Sequence, residues 1–206
     1  MRNNMKKLIY LLGVLTAHVA FCQTAAEDVQ AKLNAMRTMA ASFNQTVKAG
    51  AREVSSSTGT MALSRPGRFR WDTKSPMEQL VIADSKQLWV YDIELEQITV
   101  KKQEKGLGGT PGLFLSGYDD TVSRDFNVTE SGTGGNKTFD LRAKSSKENF
   151  QRVKLTFNGE VLNTIEFFDQ LGQHTTVKLK NVKSNPKLSD TLFTFKPPKG
   201  VDVIKQ

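Results

Sequence analysis

The 206-residue chain carries a formal net charge of +8, one cysteine and two histidines. A lone cysteine excludes an internal disulfide framework and a cysteine-built metal site. With His174 the only histidine beyond the N-terminal segment, no imidazole set for zinc can be assembled.

The first predicted element is an export signal. Met1-Arg2-Asn3-Asn4-Met5-Lys6-Lys7 is basic, and Leu8 to Phe21 is apolar apart from Thr16 and His18. A basic head, a short apolar middle and a small-residue exit define a secretory signal. The apolar run has about 14 residues, too few to cross a roughly 30 Å hydrocarbon core as a helix. Cleavage is expected after Cys22, with Ala26 as the alternative. Phe21 directly before Cys22 argues against lipidation of that cysteine, because lipoprotein signals place a small residue there. Residues 1–22 are therefore read as signal and 23–206 as one mature domain, long enough for a sizeable core. The signal removes three of the surplus positive charges (Arg2, Lys6, Lys7). Mild basicity on an exported protein disfavours nucleic acid and suits anionic surfaces or acidic partners.

Thr24-Ala25-Ala26-Glu27 has the spacing of a capping box. Val29, Leu33, Met36, Ala40 and Phe43 then recur at steps of four and three, which predicts a helix of about four turns with one apolar stripe. From Phe43 onward the period becomes two. Strands are predicted near 42–50, 56–65, 68–73, 77–84, 87–93, 95–102, 123–130, 136–143, 151–158, 161–168 and 173–182. Turn residues separate them: Pro66-Gly67, Ser75-Pro76, Asp84-Ser85, Gly134-Gly135, Asn158-Gly159 and Leu171-Gly172. Asn158-Gly159 is a two-residue hairpin signal, since both residues tolerate positive φ. Residues 103–122 interrupt the pattern as a glycine-rich loop. Within it, Thr110-Pro111 opens a short helical turn carrying Leu113, Phe114 and Leu115. Ser189 to Phe193 is a second short turn. The fold class is mainly β: one antiparallel sheet of about eleven strands, curled into an incomplete, unclosed barrel with short α-helices as a lid.

Strand parity sorts the faces. Met61, Leu63 and Arg65 point together, as do Phe69 with Trp71, Leu80 with Ile82, and Leu88 with Val90. Leu88-Trp89-Val90-Tyr91 is apolar on both faces, so one side can look inward while the other meets a helix or the far wall. Met36, Phe43, Leu113 and Phe114 join the interior from the helical segments. A guanidinium in phase with an apolar face cannot be neutralised and must find acceptors at the rim. A helix C-terminus or a loop laid across the barrel mouth would supply carbonyls to Arg65.

Catalytic patterns are missing from the sequence. There is no Gly-x-Ser-x-Gly elbow, phosphate loop or dinucleotide fingerprint. Asp84, Asp92, Glu94 and Glu96 sit near turns, where carboxylates ordinarily face water. The chain is read as a non-enzyme without metal or cofactor.

Ser42-Phe43-Asn44-Gln45, Gly59 to Leu63, and Arg65-Pro66-Gly67-Arg68-Phe69-Arg70-Trp71 resemble, in order, the outer-membrane lipoprotein carrier family (LolA). So do Leu88-Trp89-Val90-Tyr91-Asp92 with Glu96-Gln97, Thr110-Pro111, and the closing Phe193-Thr194-Phe195-Lys196-Pro197-Pro198-Lys199-Gly200-Val201. The resemblance implies a monomeric periplasmic chaperone of a Gram-negative cell. It would take lipoproteins from an inner-membrane ABC transporter, shield their acyl chains in a cavity, and pass them to an outer-membrane receptor. Arg65 matches the family's lid-holding arginine, and Phe69 and Trp71 match aromatics of the cavity mouth. Arg68 departs from the apolar residue of the family's best-known members. The alternatives are the outer-membrane receptor of the same fold, which would itself be lipidated, and a non-catalytic sensor or interaction domain with a filled core.

Overall fold

The computed structural model describes residues 23–103, 111–117, 121–146 and 150–206, with the side chains of Pro111, Leu113 and Thr121 excepted. The predicted signal, its cleavage site at Cys22, the glycines at 106, 108 and 109, Thr110 and the Leu113 side chain lie outside the described residues.

Helix α1 spans Ala25–Ala35 and starts as the sequence requires. The Thr24 hydroxyl accepts from the Glu27 N–H at 3.3 Å, and the Glu27 carboxylate accepts from the Thr24 N–H at 2.8 Å. That backbone hydrogen bond is the main reason the Glu27 carboxyl sits below its ordinary pKa. The helix is shorter than its stripe implies. Met36 is its C-cap, and Ala40 and Phe43 belong to the first strand. Asn185 ends it from far along the chain. Its amide donates to the Ala35 carbonyl at 2.9 Å, and its carbonyl oxygen accepts from the Arg37 and Thr38 N–H groups.

The strands are β1 Thr38–Ala49, β2 Arg52–Ser64, β3 Arg68–Ser75, β4 Gln79–Asp84, β5 Gln87–Asp92 and β6 Gln97–Lys102 in the first half. Two short helices follow, α2 Pro111–Leu115 and α3 Thr121–Asp125. Then come β7 Phe126–Thr133, β8 Asn136–Ala143, β9 Phe150–Asn158, β10 Val161–Asp169 and β11 Gln173–Ser184. All eleven predicted strands form, and a twelfth, β12 Asp202–Lys205, adds to them. The single sheet runs β12-β6-β5-β4-β3-β2-β1-β11-β10-β9-β8-β7. Neighbours are antiparallel except β12, which lies parallel to β6. The two edges, β7 and β12, do not pair, so the barrel is unclosed. The hairpin at Asn158 is displaced by one residue from its predicted place. Asn158 pairs with Val161, and the loop is Gly159-Glu160, with positive φ at Gly159 alone.

The concave face holds the core: Met39, Leu63, Phe69, Phe139, Leu155, Phe167 and their neighbours are 0–1% exposed. Gly59 stands directly opposite Phe43 on the paired strands. A Cβ there would lie 2.1 Å from the Asp72 carbonyl and 2.8 Å from the Phe43 ring. Its absence lets Phe43 lie over the strand and stack on Trp71 at 4.1 Å.

β4 to β6 are buried on both sides. Direct pairing puts Val81 with Trp71 and Val90, and Ala83 with Phe69 and Leu88, on the concave face. Leu80, Ile82, Trp89, Tyr91, Ile98 and Val100 therefore face outward. The C-terminal segment covers them, in place of the helix or far wall expected from sequence. A 3₁₀ turn at Asp190–Phe193 buries Phe193, and Phe195 lies 5.4 Å from Trp89 and 6.0 Å from Tyr91. Arg68 clamps that segment, donating to Asp190 at 2.6 Å while its guanidinium sits 5.4 Å from the Phe193 ring centre.

Phe193→Ala should cost about 3–5 kcal/mol in urea unfolding, as loss of a buried phenylalanine does. A change below about 1 kcal/mol would show that the segment is not part of the folded core.

Candidate functional site

Arg65 follows the last residue of β2, and the strand's parity aims it at the concave side. It is 8% exposed. Its Nη1 donates to the Leu33 carbonyl at 2.9 Å, and its backbone N–H donates to the Arg37 carbonyl at 2.9 Å. Leu33 lies in the last turn of α1, where the helix dipole is negative, and its carbonyl accepts from Arg65 as well as from the Met36 N–H at 3.2 Å. A charged donor on such a carbonyl contributes about 1.5–3 kcal/mol. The Leu33 side chain, 2% exposed, meanwhile packs into the core.

Three further contacts hold α1 in place. Lys137 on β8 pairs with Asp28 at 3.0 Å, and also with Glu130 at 2.9 Å. Hydrogen bonding to Glu130, then to Asp28, holds the Lys137 ammonium above its ordinary pKa. Lys32 pairs with Glu160 in the β9–β10 loop at 2.7 Å. Gln30, 7% exposed, accepts from the Val122 N–H at 2.8 Å and so caps α3. The sequence gives no sign of this role, because a glutamine on a helix face ordinarily meets water.

α2 lies over the aromatic floor. A Cβ on Gly112 would be 2.5 Å from the Phe69 ring, so that glycine allows the helix to rest on it. Phe114 makes edge-to-face contacts with Phe126 at 6.1 Å and Phe167 at 5.7 Å. The turn of Pro66-Gly67 is tied to α2 through the Gly67 N–H, which donates to the Ser116 carbonyl at 2.6 Å.

Most candidate residues converge on this interior. Met36, Phe43, Met61, Leu63, Phe69, Trp71, Leu88 and Phe114 are in one buried cluster, with Val90 packed against it. Leu80 and Ile82 are not. They lie on the convex face against the C-terminal segment, as pairing with Tyr91 and Trp89 requires. Parity pairs residues within a strand but leaves open which pair faces in, and Leu80-Val81-Ile82-Ala83 is apolar on both sides.

Free space opens on the concave side among the described residues. A cavity of about 140 Å³ is lined by Gln45, Phe69, Trp71, Thr73, Gln79, Val81 and Gly112. It adjoins a groove of about 310 Å³ at the end where β1–β2, β3–β4 and β5–β6 turn, and the two share Gln45, Thr73 and Gln79.

The carboxylates near turns serve local structure. Asp84 accepts from the Lys86 and Gln87 N–H groups, and Asp92 accepts from the Gln79 amide at 2.6 Å. Among the described residues no group of His, Cys, Asp and Glu could hold a metal ion. No helix among them is long and apolar enough to cross a membrane.

The family model for outer membrane lipoprotein carrier protein LolA matches residues 34–196. An outer-membrane lipoprotein carrier protein of Legionella pneumophila (strain Corby) is 60% identical over 202 residues, covering 98% of this chain and 100% of that protein. A protein of the same description from Pseudomonas syringae pv. syringae (strain B728a) is 37% identical over 175 residues, 84% of each chain. A solved structure of an uncharacterized conserved protein from Thermus thermophilus superposes with a TM-score of 0.55. The match covers 89% of this chain and 100% of that one at 13% identity, a likeness of fold alone.

Gln30→Leu should leave the Val122 and Ser123 N–H groups without their acceptor. Their amide exchange should rise by about tenfold or more, the equivalent of a lost hydrogen bond of about 1.4 kcal/mol. Unchanged protection at both amides would refute the capping role.

Proposed function

Because this chain belongs to the LolA family of outer membrane lipoprotein carrier proteins, we propose that it is a monomeric, non-enzymatic periplasmic chaperone for lipid-modified proteins. In this reading residues 1–22 are removed on export and 23–206 do the carrying. The observation that carries the reading is the Arg65 guanidinium, buried on the Leu33 carbonyl at 2.9 Å beside an apolar interior. It fastens α1 over the concave face by a hydrogen bond, beside the apolar packing of Val29 and Leu33, and no covalent link makes the fastening irreversible.

Acyl chains contribute about 0.8 kcal/mol per buried CH₂. A ~16-carbon chain therefore resists leaving a membrane by roughly 12 kcal/mol, and two or three chains by more. A free carrier cannot extract such cargo, so an energy-using donor must load it: an ABC transporter of the inner membrane. An outer-membrane receptor takes the cargo onward. In this reading loading lifts α2 off Phe69 and withdraws Phe114 from Phe126 and Phe167. Met36, Met39 and Met61 give the lining the adaptability that flexible chains need.

The close packing of Phe114 on Phe126 and Phe167 favours one second reading, a sensor or interaction domain that uses the same barrel as scaffold. Dye binding separates the two: a carrier takes up an apolar fluorophore with a saturable, one-to-one isotherm, and a solid scaffold does not.

In vesicles of inner membrane holding a labelled lipoprotein and ATP, addition of the purified protein should give a soluble one-to-one complex; its absence would reject carriage. Arg65→Leu should raise amide exchange in residues 29–35 by roughly 10–100-fold, matching about 1.5–3 kcal/mol, and alter lipid retention. Wild-type exchange and dye affinity in that variant would rule out the latch. Phe69→Glu should abolish release of cargo from those vesicles by placing a charge in the apolar mouth. Normal release by the variant would exclude Phe69 from loading.

A further inference from the structure

The concave face changes chemistry along its strands. Near Arg65 it is apolar. One step beyond Phe43 and Trp71, direct pairing sets Thr73 beside Gln79 and Gln79 beside Asp92, while Gln45 faces Ser57 one step further along β1. These residues, with Ser55, line the groove of about 310 Å³ that opens from the inner cavity. Its rim carries two large apolar side chains left in solvent, Met77 at 66% and Leu95 at 74% exposure. Among the described residues, the side chains of Gln45, Ser55, Ser57 and Thr73 have no hydrogen-bond partner. The groove also holds Glu78, Asp92 and Glu94 and no lysine or arginine.

We propose that this groove is the portal and head-group subsite of the carrier, accepting a neutral ester-linked glyceryl head and turning away phosphate-headed lipids with the same tails. The inference rests on the carrier reading. An anchor with two acyl tails is apolar for most of its length and then presents ester carbonyls, which only accept hydrogen bonds. The face offers the same succession: aromatic wall at Phe69 and Trp71, then hydroxyl and amide donors at Ser55, Ser57, Thr73 and Gln45. Met77 and Leu95 cover the tails as they pass the rim. Phospholipids outnumber lipoproteins in any membrane and carry equivalent tails, so tail burial alone cannot discriminate. A phosphate brought to a groove with three carboxylates and no cation meets only like charge, and within a few ångströms such repulsion survives partial screening.

The test uses the full mature protein with a bound neutral dye, Nile red, displaced by dioctanoylglycerol or dioctanoylphosphatidylglycerol below their micelle concentrations. At low salt the neutral lipid should displace dye at roughly tenfold lower concentration. In the double variant Glu78→Gln, Glu94→Gln, both at exposed positions, the gap should narrow. Salt at about 0.5 M should narrow it in the wild type, as expected from a Debye length of only a few ångströms. Equal displacement by the two lipids, or a gap unchanged in the variant, would overturn the head-group assignment and leave acyl carriage standing. Failure of both lipids to displace dye would overturn acyl carriage and this inference with it.

Discussion

A permanent cation buried beside an apolar interior must be given acceptors, and the geometry of the whole lid follows from how Arg65 is given them. The end of a helix is one of the few places where a chain has carbonyls to spare. α1 stops at Ala35, with its Leu33 carbonyl under the guanidinium. Stopping it there takes Asn185, whose amide closes the helix and steers the chain into β1. Asn185 thus sets where the helix ends and the first strand begins, and Arg65 ties that end of α1 to β2. The remaining ties of α1, Lys137 with Asp28 and Lys32 with Glu160, are partly exposed ion pairs of small individual weight. Gln30 passes the position of α1 on to α3.

A sheet covered on one face only by short helices needs support on the other. β3 to β6 obtain it from the C-terminal segment, which seats Phe193 and Phe195 on the convex side and adds β12 to the free edge of β6. An unpaired edge invites association, and β12 covers this one. Arg68 belongs to the same construction through Asp190 and the Phe193 ring. Its departure from the apolar residue of better-known relatives therefore has a local structural partner. With the outer layer held this way, movement of the cover need not disturb the wall.

The strands are legible in the sequence because turn residues punctuate them and period two persists through each. Arg65 is legible as an inward residue, since Met61 and Leu63 share its parity. Other features rest on contacts between distant residues. The helix stripe runs on through Ala40 and Phe43, and only Asn185 shows why the helix ends earlier. Sequence parity groups Leu80 and Ile82 with the interior because β4 is apolar on both faces and nothing local says that residues beyond 186 cover one of them. β12 is four residues, too short for a period. The polar half of the concave face is hidden in the sequence because Gln45, Ser57, Thr73 and Gln79 come from four strands and meet only through pairing.

Carriage of this kind requires that the cover over the concave face open to admit acyl chains and that Arg65 hold it shut when empty. The most direct measurement is amide exchange of the wild-type protein across Leu33 to Arg37 during titration with a diacylated lipopeptide. Protection there should fall as the lipid saturates, by an amount that tracks occupancy. Undiminished protection at full occupancy would contradict it, since cargo would then sit on the protein without disturbing the contact between Arg65 and α1.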